Sequence, residues 1–185
     1  MKLWFTSDSH FGHYNIIKYA GRPFASVQEM DEAMVQGWNE RVKPEDHVYH
    51  LGDVTMKRPK YSMGVLGRLN GHKRLVRGNH DIYKTKEYLE AGFEEIYGIR
   101  VIDNLLFTHI PVHPESLGRF KANVHGHIHE KVYPPITKYK YVNDQLDLTR
   151  PYIVPYINIS VEQTNYHPVD IEWIRAKIEE VSESV

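Results

Sequence analysis

Five short apolar runs in this chain each lead into residues that can ligate a metal, and this repetition constrains the fold more than any other feature. The runs lead to Asp8-Ser9-His10, Gly52-Asp53, Gly78-Asn79-His80-Asp81, His109 and Gly126-His127-Ile128-His129. A short apolar run bounded by turn residues reads as a buried strand. In α/β folds, ligand sites gather just beyond the carboxyl ends of the strands. Five such loops on one sheet edge can therefore converge on one place.

The segments between the runs read as helices and further strands. Ser26-Val27-Gln28-Glu29 is a capping box, and Val27, Met30, Met34, Trp38 and Val42 keep helical spacing to about Val42. His47–Leu51 predicts a second strand, residues 62–69 a short helix stopped at Asn70-Gly71, Arg74-Leu75-Val76 a third strand, and residues 85–91 a helix closed by Gly92. Residues 97–102 and 105–108 read as a hairpin around Asp103-Asn104, and residues 122–125 and 157–161 as strands. Pro168 is expected to open a last helix, with Ile171, Ile174, Ile178 and Val181 on one stripe. Residues 130–156, rich in proline and tyrosine, are the least regular part. Strand–helix alternation followed by hairpins predicts an α/β core with mixed sheets, in a single domain over residues 1–185.

Composition narrows the chemistry. The chain has no cysteine, which excludes thiolate metal sites, disulfides and cysteine nucleophiles. A formal net charge of -1 gives no global field toward nucleic acid or membrane. No apolar stretch approaches the roughly 18–20 residues of a membrane span, and the opening run is too short for a signal peptide, so a cytoplasmic protein is expected. Twelve histidines remain to be explained. They are either solvated surface residues or metal ligands.

Position favours ligation for several of them. Asp8 and His10 are two residues apart, as are His127 and His129, and in extended backbone such pairs point to one side. Carboxylate, imidazole and amide oxygen together suit divalent ions such as Mn²⁺, Fe²⁺ or Zn²⁺. Glycines before Asp53, Asn79 and His127 permit tight turns. Each motif alone is weak; the ordered set, each beside a strand, is strong.

That ordered set, Asp-x-His, Gly-Asp, Gly-Asn-His-Asp, His and Gly-His-x-His, resembles the calcineurin-like metallophosphoesterase superfamily. Asp8-Ser9-His10-Phe11-Gly12-His13 and Asn165-Tyr166-His167-Pro168-Val169 are similar to its small bacterial and phage members. The resemblance implies a four-layer α/β/β/α sandwich of two mixed β-sheets flanked by helices. It also implies a ligand set: Asp8, His10 and His129 for one metal, Asn79, His109 and His127 for a second, and Asp53 bridging both. His80 would act on the substrate oxygen, oriented by Asp81. Two cations ~3.5–4 Å apart would clamp the attacking and leaving oxygens of a phosphate ester, and a hydroxide bridging them would attack phosphorus. The expected cofactors are two divalent ions, Mn²⁺ before Fe, Zn, Ni or Co.

Other residues carry weaker expectations. His13, Arg22 and His113 are candidate substrate contacts, each with a surface role as the alternative. Lys57, Arg58 and Lys60 form either a basic rim or a solvated charge run. His50 and His125 are expected to orient ligands from within strands. His47, His72 and His167 are structural or exposed. Tyr133, Tyr139, Tyr141 and Tyr152 either flank the site or pack a loop. The expected partner is a phosphorylated small molecule or a nucleotide-like substrate, with nucleic acid also open and no membrane. A catalytically inactive scaffold and a single-metal hydrolase are the competing readings.

Overall fold

Side chains alternate across each strand, and here the alternation separates two cores. In β1 (Leu3–Thr6), Trp4 joins one core and Phe5 the other. In β2 (His47–His50), Val48 and Tyr49 divide the same way, and in β3 (His72–Val76) so do Leu75 and Val76. Trp4, Val48 and Leu75 pack under helices, with Met30, Met34 and Trp38 of α2 (Val27–Arg41). Phe5, Tyr49 and Val76 face a second sheet, where the Phe5 ring stacks on Phe107 at 4.6 Å.

The computed structural model describes residues 1–142 and 145–183, and only the backbone of 139–142 and 145–151. Tyr139 and Tyr141 therefore lie outside the described side chains. The first sheet has the order β11-β1-β2-β3-β4, with β4 at Phe93–Tyr97 and β11 at Val169–Asp170. Strands β1 to β4 are parallel and β11 is antiparallel to β1. The second sheet has the order β10-β7-β6-β5, formed by Tyr156–Asn158, Ala122–His125, Leu105–Phe107 and Arg100–Ile102. Its strands β6, β7 and β10 are parallel, and β5 is antiparallel to β6.

Helices α1 (Tyr14–Tyr19), α2, α3 (Pro59–Leu66) and α4 (Thr85–Glu90) supply residues to the core outside the first sheet. Helix α5 (Ile171–Glu183) presents Ile174, Ile178 and Val181 to the core between the sheets. Beyond the second sheet, Leu106 packs with Leu117 of a 3-10 turn and with Val154 of the hairpin β8 (Ile136–Val142) and β9 (Gln145–Val154). This is the mixed two-sheet α/β architecture expected of the motif set.

Register sets the site. Thr6 pairs with His50 and His50 with Leu75, so β1, β2 and β3 end level. Leu105 pairs with Ala122 and Asn158 with His125 in the second sheet. A bridge between Ser7 and Ser160 joins the two edges.

Several boundaries differ from expectation. The helix placed at 62–69 starts at Pro59, whose fixed φ suits a first turn. Tyr97 belongs to β4, an edge strand whose Glu94 and Glu95 masked it. Edge strands commonly carry such charges, and here Glu95 accepts from Arg74 Nε at 2.8 Å. Much of 130–156 is the β8–β9 hairpin rather than irregular chain. The strand at 157 ends at Asn158, and Val161–Thr164 is a 3-10 turn. Pro168 precedes β11 instead of opening α5; Asp170 caps that helix, accepting from Trp173 N–H at 3.0 Å. Helix α1 was not foreseen. No helix among the described residues is long and apolar enough to cross a membrane.

Candidate metal centre

The loops at the common edge bring two clusters of ligand atoms together. Donor atoms of Asp8, His10 and His129 lie within 4.8 Å of one another, and so do those of Asp53, His109 and His127. Asn79 joins the second group, its Oδ1 2.8 Å from His109 Nε2. Asp53 stands between the groups, with Oδ2 3.6 Å from His10 Nε2 and 3.4 Å from His109 Nε2.

The backbone that achieves this is not extended. Asp8, His10, Asp53, His127 and His129 all have positive φ, from 50° to 72°. The expectation that Asp8/His10 and His127/His129 share a face through extended backbone is corrected: left-handed turns aim them. Left-handed conformation costs an ordinary residue roughly 1–2 kcal/mol, and such strain concentrates at functional sites. Two glycines allow the loops to close. A Cβ on Gly126 would overlap Ser7 Oγ and Asp8 Oδ2, and one on Gly78 would overlap Asp53 Oδ1.

Four of the ligand candidates, Asp8, Asp53, His109 and His129, are also held from behind. Asp8 Oδ2 accepts from His127 N–H at 2.9 Å and from Ser160 Oγ at 3.0 Å, leaving Oδ1 for the cluster. Asp53 Oδ1 accepts from His80 N–H at 2.8 Å, leaving Oδ2. Nδ1 of His109 lies 2.7 Å from the Leu51 carbonyl, to which it donates, so Nε2 faces inward. Nδ1 of His129 lies 3.0 Å from Glu162 Oε1. Metal-binding histidines are commonly fixed through the second nitrogen in this way.

The donor set fits divalent cations. Asp8 Oδ1 and both ring nitrogens of His10 are buried without a hydrogen-bond partner. Buried polar atoms are rarely left so. At His109, Nε2 faces two oxygens at once, Asn79 Oδ1 and Asp53 Oδ2. A proton or a metal ion must sit among them. Burial drives the His10 imidazole down to about 2, so it is neutral, the form that ligates. Burial also pushes the Asp8 carboxyl up. At Asp53 burial acts upward too, but the hydrogen bond and charge of His109 outweigh it and hold the carboxyl at about 2. Burial would lower His109, yet Asp53 and Asp8 together raise it to about 8. Both results are those of a carboxylate and an imidazole that stabilise each other's charged form.

His80 is exposed, its ring edge-on to His10 at 5.6 Å, and it lines the cavity of about 470 Å³ that contains His10, His127 and His129. His13 lines the same cavity. Burial lowers its imidazole.

Three expected contacts lie elsewhere. Arg22 does not face the cavity. It is 4% exposed, and its guanidinium donates to the carbonyls of Asp8 (2.6 Å) and Ser9 (2.9 Å), to Met30 Sδ (3.4 Å) and to Glu162 (2.8 and 2.9 Å). All five of its donors are thereby used within the protein. His113 is exposed and caps the 3-10 turn after it, accepting from Glu115 N–H. Asp81 does not orient the His80 ring: its carboxylate accepts from the amides of Asp53 (2.8 Å), Val54 (3.2 Å) and Gly78 (2.8 Å), tying two ligand loops together.

Among the remaining candidates, His50 Nε2 lies 2.8 Å from Ser9 Oγ, bracing the Asp8–His10 loop from within β2. Lys57, Arg58 and Lys60 line neither cavity beside the ligand residues. Glu162 and Ser160 escaped sequence reasoning altogether. Neither belongs to a ligand motif, and each reaches the site only because β10 lies beside β7.

Comparison with known proteins places the chain. Residues 1–144 match the family model of the calcineurin-like phosphoesterase superfamily domain, and the chain belongs to that superfamily. It is 33% identical over 184 residues to an uncharacterized protein of Methanocaldococcus jannaschii, spanning 96% of this chain and 92% of that one. The gene 66 protein of Mycobacterium phage L5 is 38% identical over 82 residues, covering 42% of this chain and 39% of that protein. A crystal structure of an Aquifex aeolicus protein of unknown function superposes with a TM-score of 0.68 at 27% identity, covering 95% of this chain and 98% of that one.

Proposed function

We propose that the protein is a binuclear metal-dependent phosphohydrolase, acting on a phosphate ester of a small or nucleotide-like molecule. The observation that carries this is Asp53 Oδ2, which faces His10 on one side, clustered with Asp8 and His129, and His109 on the other, with which Asp53 and His127 form a second cluster. One carboxylate oxygen placed between two donor sets is what a bridging ligand requires. When bound, two divalent ions, Mn²⁺ first among Mn, Fe, Zn, Ni and Co, supply charge stabilisation to the phosphoryl group and lower the pKa of water.

The chain's own residues do the rest. Asp8, His10 and His129 would hold one ion, and Asn79, His109 and His127 the other. Asp81, through three amides, keeps the Asp53 and Asn79 loops in register. His80 binds Asp53 through its backbone N–H, so its ring is left to face the cavity. As the oxygen of a hydroxide, formed from water that has lost its proton to solvent, bonds to phosphorus, the bond from phosphorus to the ester oxygen breaks. The His80 ring gives that leaving oxygen a proton and takes one back from the next water, releasing an alcohol and a phosphate with one ester group fewer. His13, in the same cavity, is placed to contact the substrate.

The test uses protein stripped by a chelator and reloaded with single metals, assayed on a panel of phosphomonoesters and phosphodiesters. Two ions per chain and metal-restored hydrolysis of at least one panel ester are expected. Failure to bind a second ion, or no turnover with any of Mn²⁺, Fe²⁺, Zn²⁺, Ni²⁺ or Co²⁺, overturns the proposal and favours a binding role.

A further inference from the structure

The metal centre opens on two cavities that share no lining residue. One, about 470 Å³, touches His10, His127 and His129 and continues along Ile16, Tyr19 and Ile128. The other, about 460 Å³, touches Asn79 and His109 and continues along Ile99, Ile110 and Val112. Each falls within the size range of small-molecule sites. Resting on the phosphoesterase reading above, we infer that this is a two-armed cleft for a phosphodiester, with the leaving ester group in the Tyr19 arm and the retained group in the Ile99 arm.

Three observations carry the assignment. First, both arms have an apolar wall that solvent reaches: Tyr19 is 71% exposed, Ile99 59% and Ile110 49%. Exposed apolar groups gathered beside polar chemistry mark a surface meant to be covered. Second, the groups on phosphorus differ between the two ester classes. A monoester bound with its ester group in one arm presents only a charged oxygen to the other, here against isoleucine and valine. A diester presents a carbon substituent, whose burial on that wall is favourable. Arg77, the cation among the described residues of that wall, is drawn away, over the Tyr88 ring at 5.4 Å and toward Thr85 Oγ1 at 3.3 Å. Third, His80 lines the Tyr19 arm and not the other. Its proton belongs to the departing oxygen, so the departing group lies there. The planar ring of Tyr19 suits a flat aromatic or nucleobase-bearing group, against which it can stack.

The decisive comparison uses a nucleoside nitrophenyl phosphodiester and nitrophenyl phosphate, which share a leaving group. The metal-loaded protein should turn over the diester with kcat/KM about tenfold or more above the monoester, the discrimination that one apolar pocket can supply. Ile99→Ala should shrink the diester-to-monoester ratio, and Ile99→Lys should shrink it further by offering the monoester a cation. Tyr19→Ala should lower both substrates alike. Binding of a non-hydrolysable diester analogue, read as a ratio of Kd values to the matched monoester analogue, should follow the same order. A monoester preference, or a ratio untouched by both Ile99 substitutions, overturns the two-armed cleft while leaving the phosphoesterase reading intact. Absence of turnover for every ester with both ions bound overturns the phosphoesterase reading itself.

Discussion

The two halves of the candidate metal centre offer the same kinds of ligand atom but are braced differently. Behind Asp8, His10 and His129 lies a chain of charged side chains. Glu162 holds His129, Arg22 holds Glu162, and the same guanidinium holds the carbonyls of Asp8 and Ser9. Arg22 and Glu162 are 140 residues apart in sequence, and both are buried. Behind Asp53, His109 and Asn79 the supports are mostly main chain: the Leu51 carbonyl for His109, and amides gripped by Asp81 for the Asp53 loop. Asp8 and His10 are buried, while Asn79 is exposed. A half fixed by a buried ion pair is rigid but fails if one partner is lost, because the other is left as an unpaired buried charge. A half fixed by backbone depends instead on loop conformation, with the buried Asp81 carboxylate holding three of its amides rather than pairing with a cation.

The largest effect should come from removing what the halves share. Asp53→Ala is expected to empty both metal positions and reduce hydrolysis to the level of the chelated protein, since several kcal/mol of charge stabilisation goes with the ions. Elemental analysis checks it, and a variant retaining two ions would refute the bridging role. His80→Ala should come next, and should leave both halves standing. Turnover should fall roughly 10²–10⁴-fold, as for loss of a general acid, with metal content unchanged. The fall should steepen as the leaving-group pKa rises. Parallel leaving-group plots for wild type and variant would remove His80 from that role.

How much of this contrast the sequence disclosed follows from where its signals lie. The seven ligand candidates sit in short motifs after apolar runs, so the strands that carry them and their convergent edge are legible together, though not the order of strands in each sheet. Their conformation was not. Asp8 and His10 look like alternate residues of a strand, and only the fold shows both in left-handed turns. Arg22 reads as a candidate substrate contact because a guanidinium suits phosphate, but the partner that claims it, Glu162, lies in no motif and meets it only through tertiary packing. Asp81 was assigned to its sequence neighbour His80, whereas its oxygens reach amides of another loop, 28 and 27 residues back. Strand β4 was hidden for a local reason: two adjacent glutamates on an edge strand erase its apolar signal. Motifs thus report which side chains converge on the candidate site, and long-range contacts decide which atoms hold them there.

A smaller effect should separate the two halves directly. Glu162→Gln keeps the shape but removes the carboxylate that accepts from His129 Nδ1 and from Arg22. Loss of such a support typically costs 10–100-fold in metal affinity, and here the loss should fall on one ion of the two. Asn79→Ala should weaken the other ion. Calorimetric titration of metal into each stripped variant should therefore show two unequal sites, weakened in opposite order. If Glu162→Gln weakens both ions equally, the contrast between a charged brace and a main-chain brace is wrong.

The smallest effect concerns stability and isolates the innermost brace, His50. Its side chain is buried beside Ser9 Oγ, and burial lowers its imidazole from the ordinary 6.5 to about 3. Between those values the unfolded chain binds a proton at this position and the folded chain does not. Stability therefore rises with pH across that window and falls on acidification, by about 1.4 kcal/mol per pH unit for one such group. From pH 6.5 to 5 the contribution of His50 amounts to about 2 kcal/mol. His125, which burial lowers to about 4, and His10 act in the same direction. His50→Gln carries no titrating group but can still bond to Ser9. Urea unfolding of the chelated protein at several pH values should then show a slope against pH lower by one proton's worth in the variant, with the wild type approaching the variant's profile above pH 7. Chelation matters, because bound metal would add its own proton dependence through His10, His109, His127 and His129. An unchanged slope would mean that His50 is protonated in the folded state, and that the Asp8–His10 loop is braced by a charge in both directions, from Arg22 and from β2 alike.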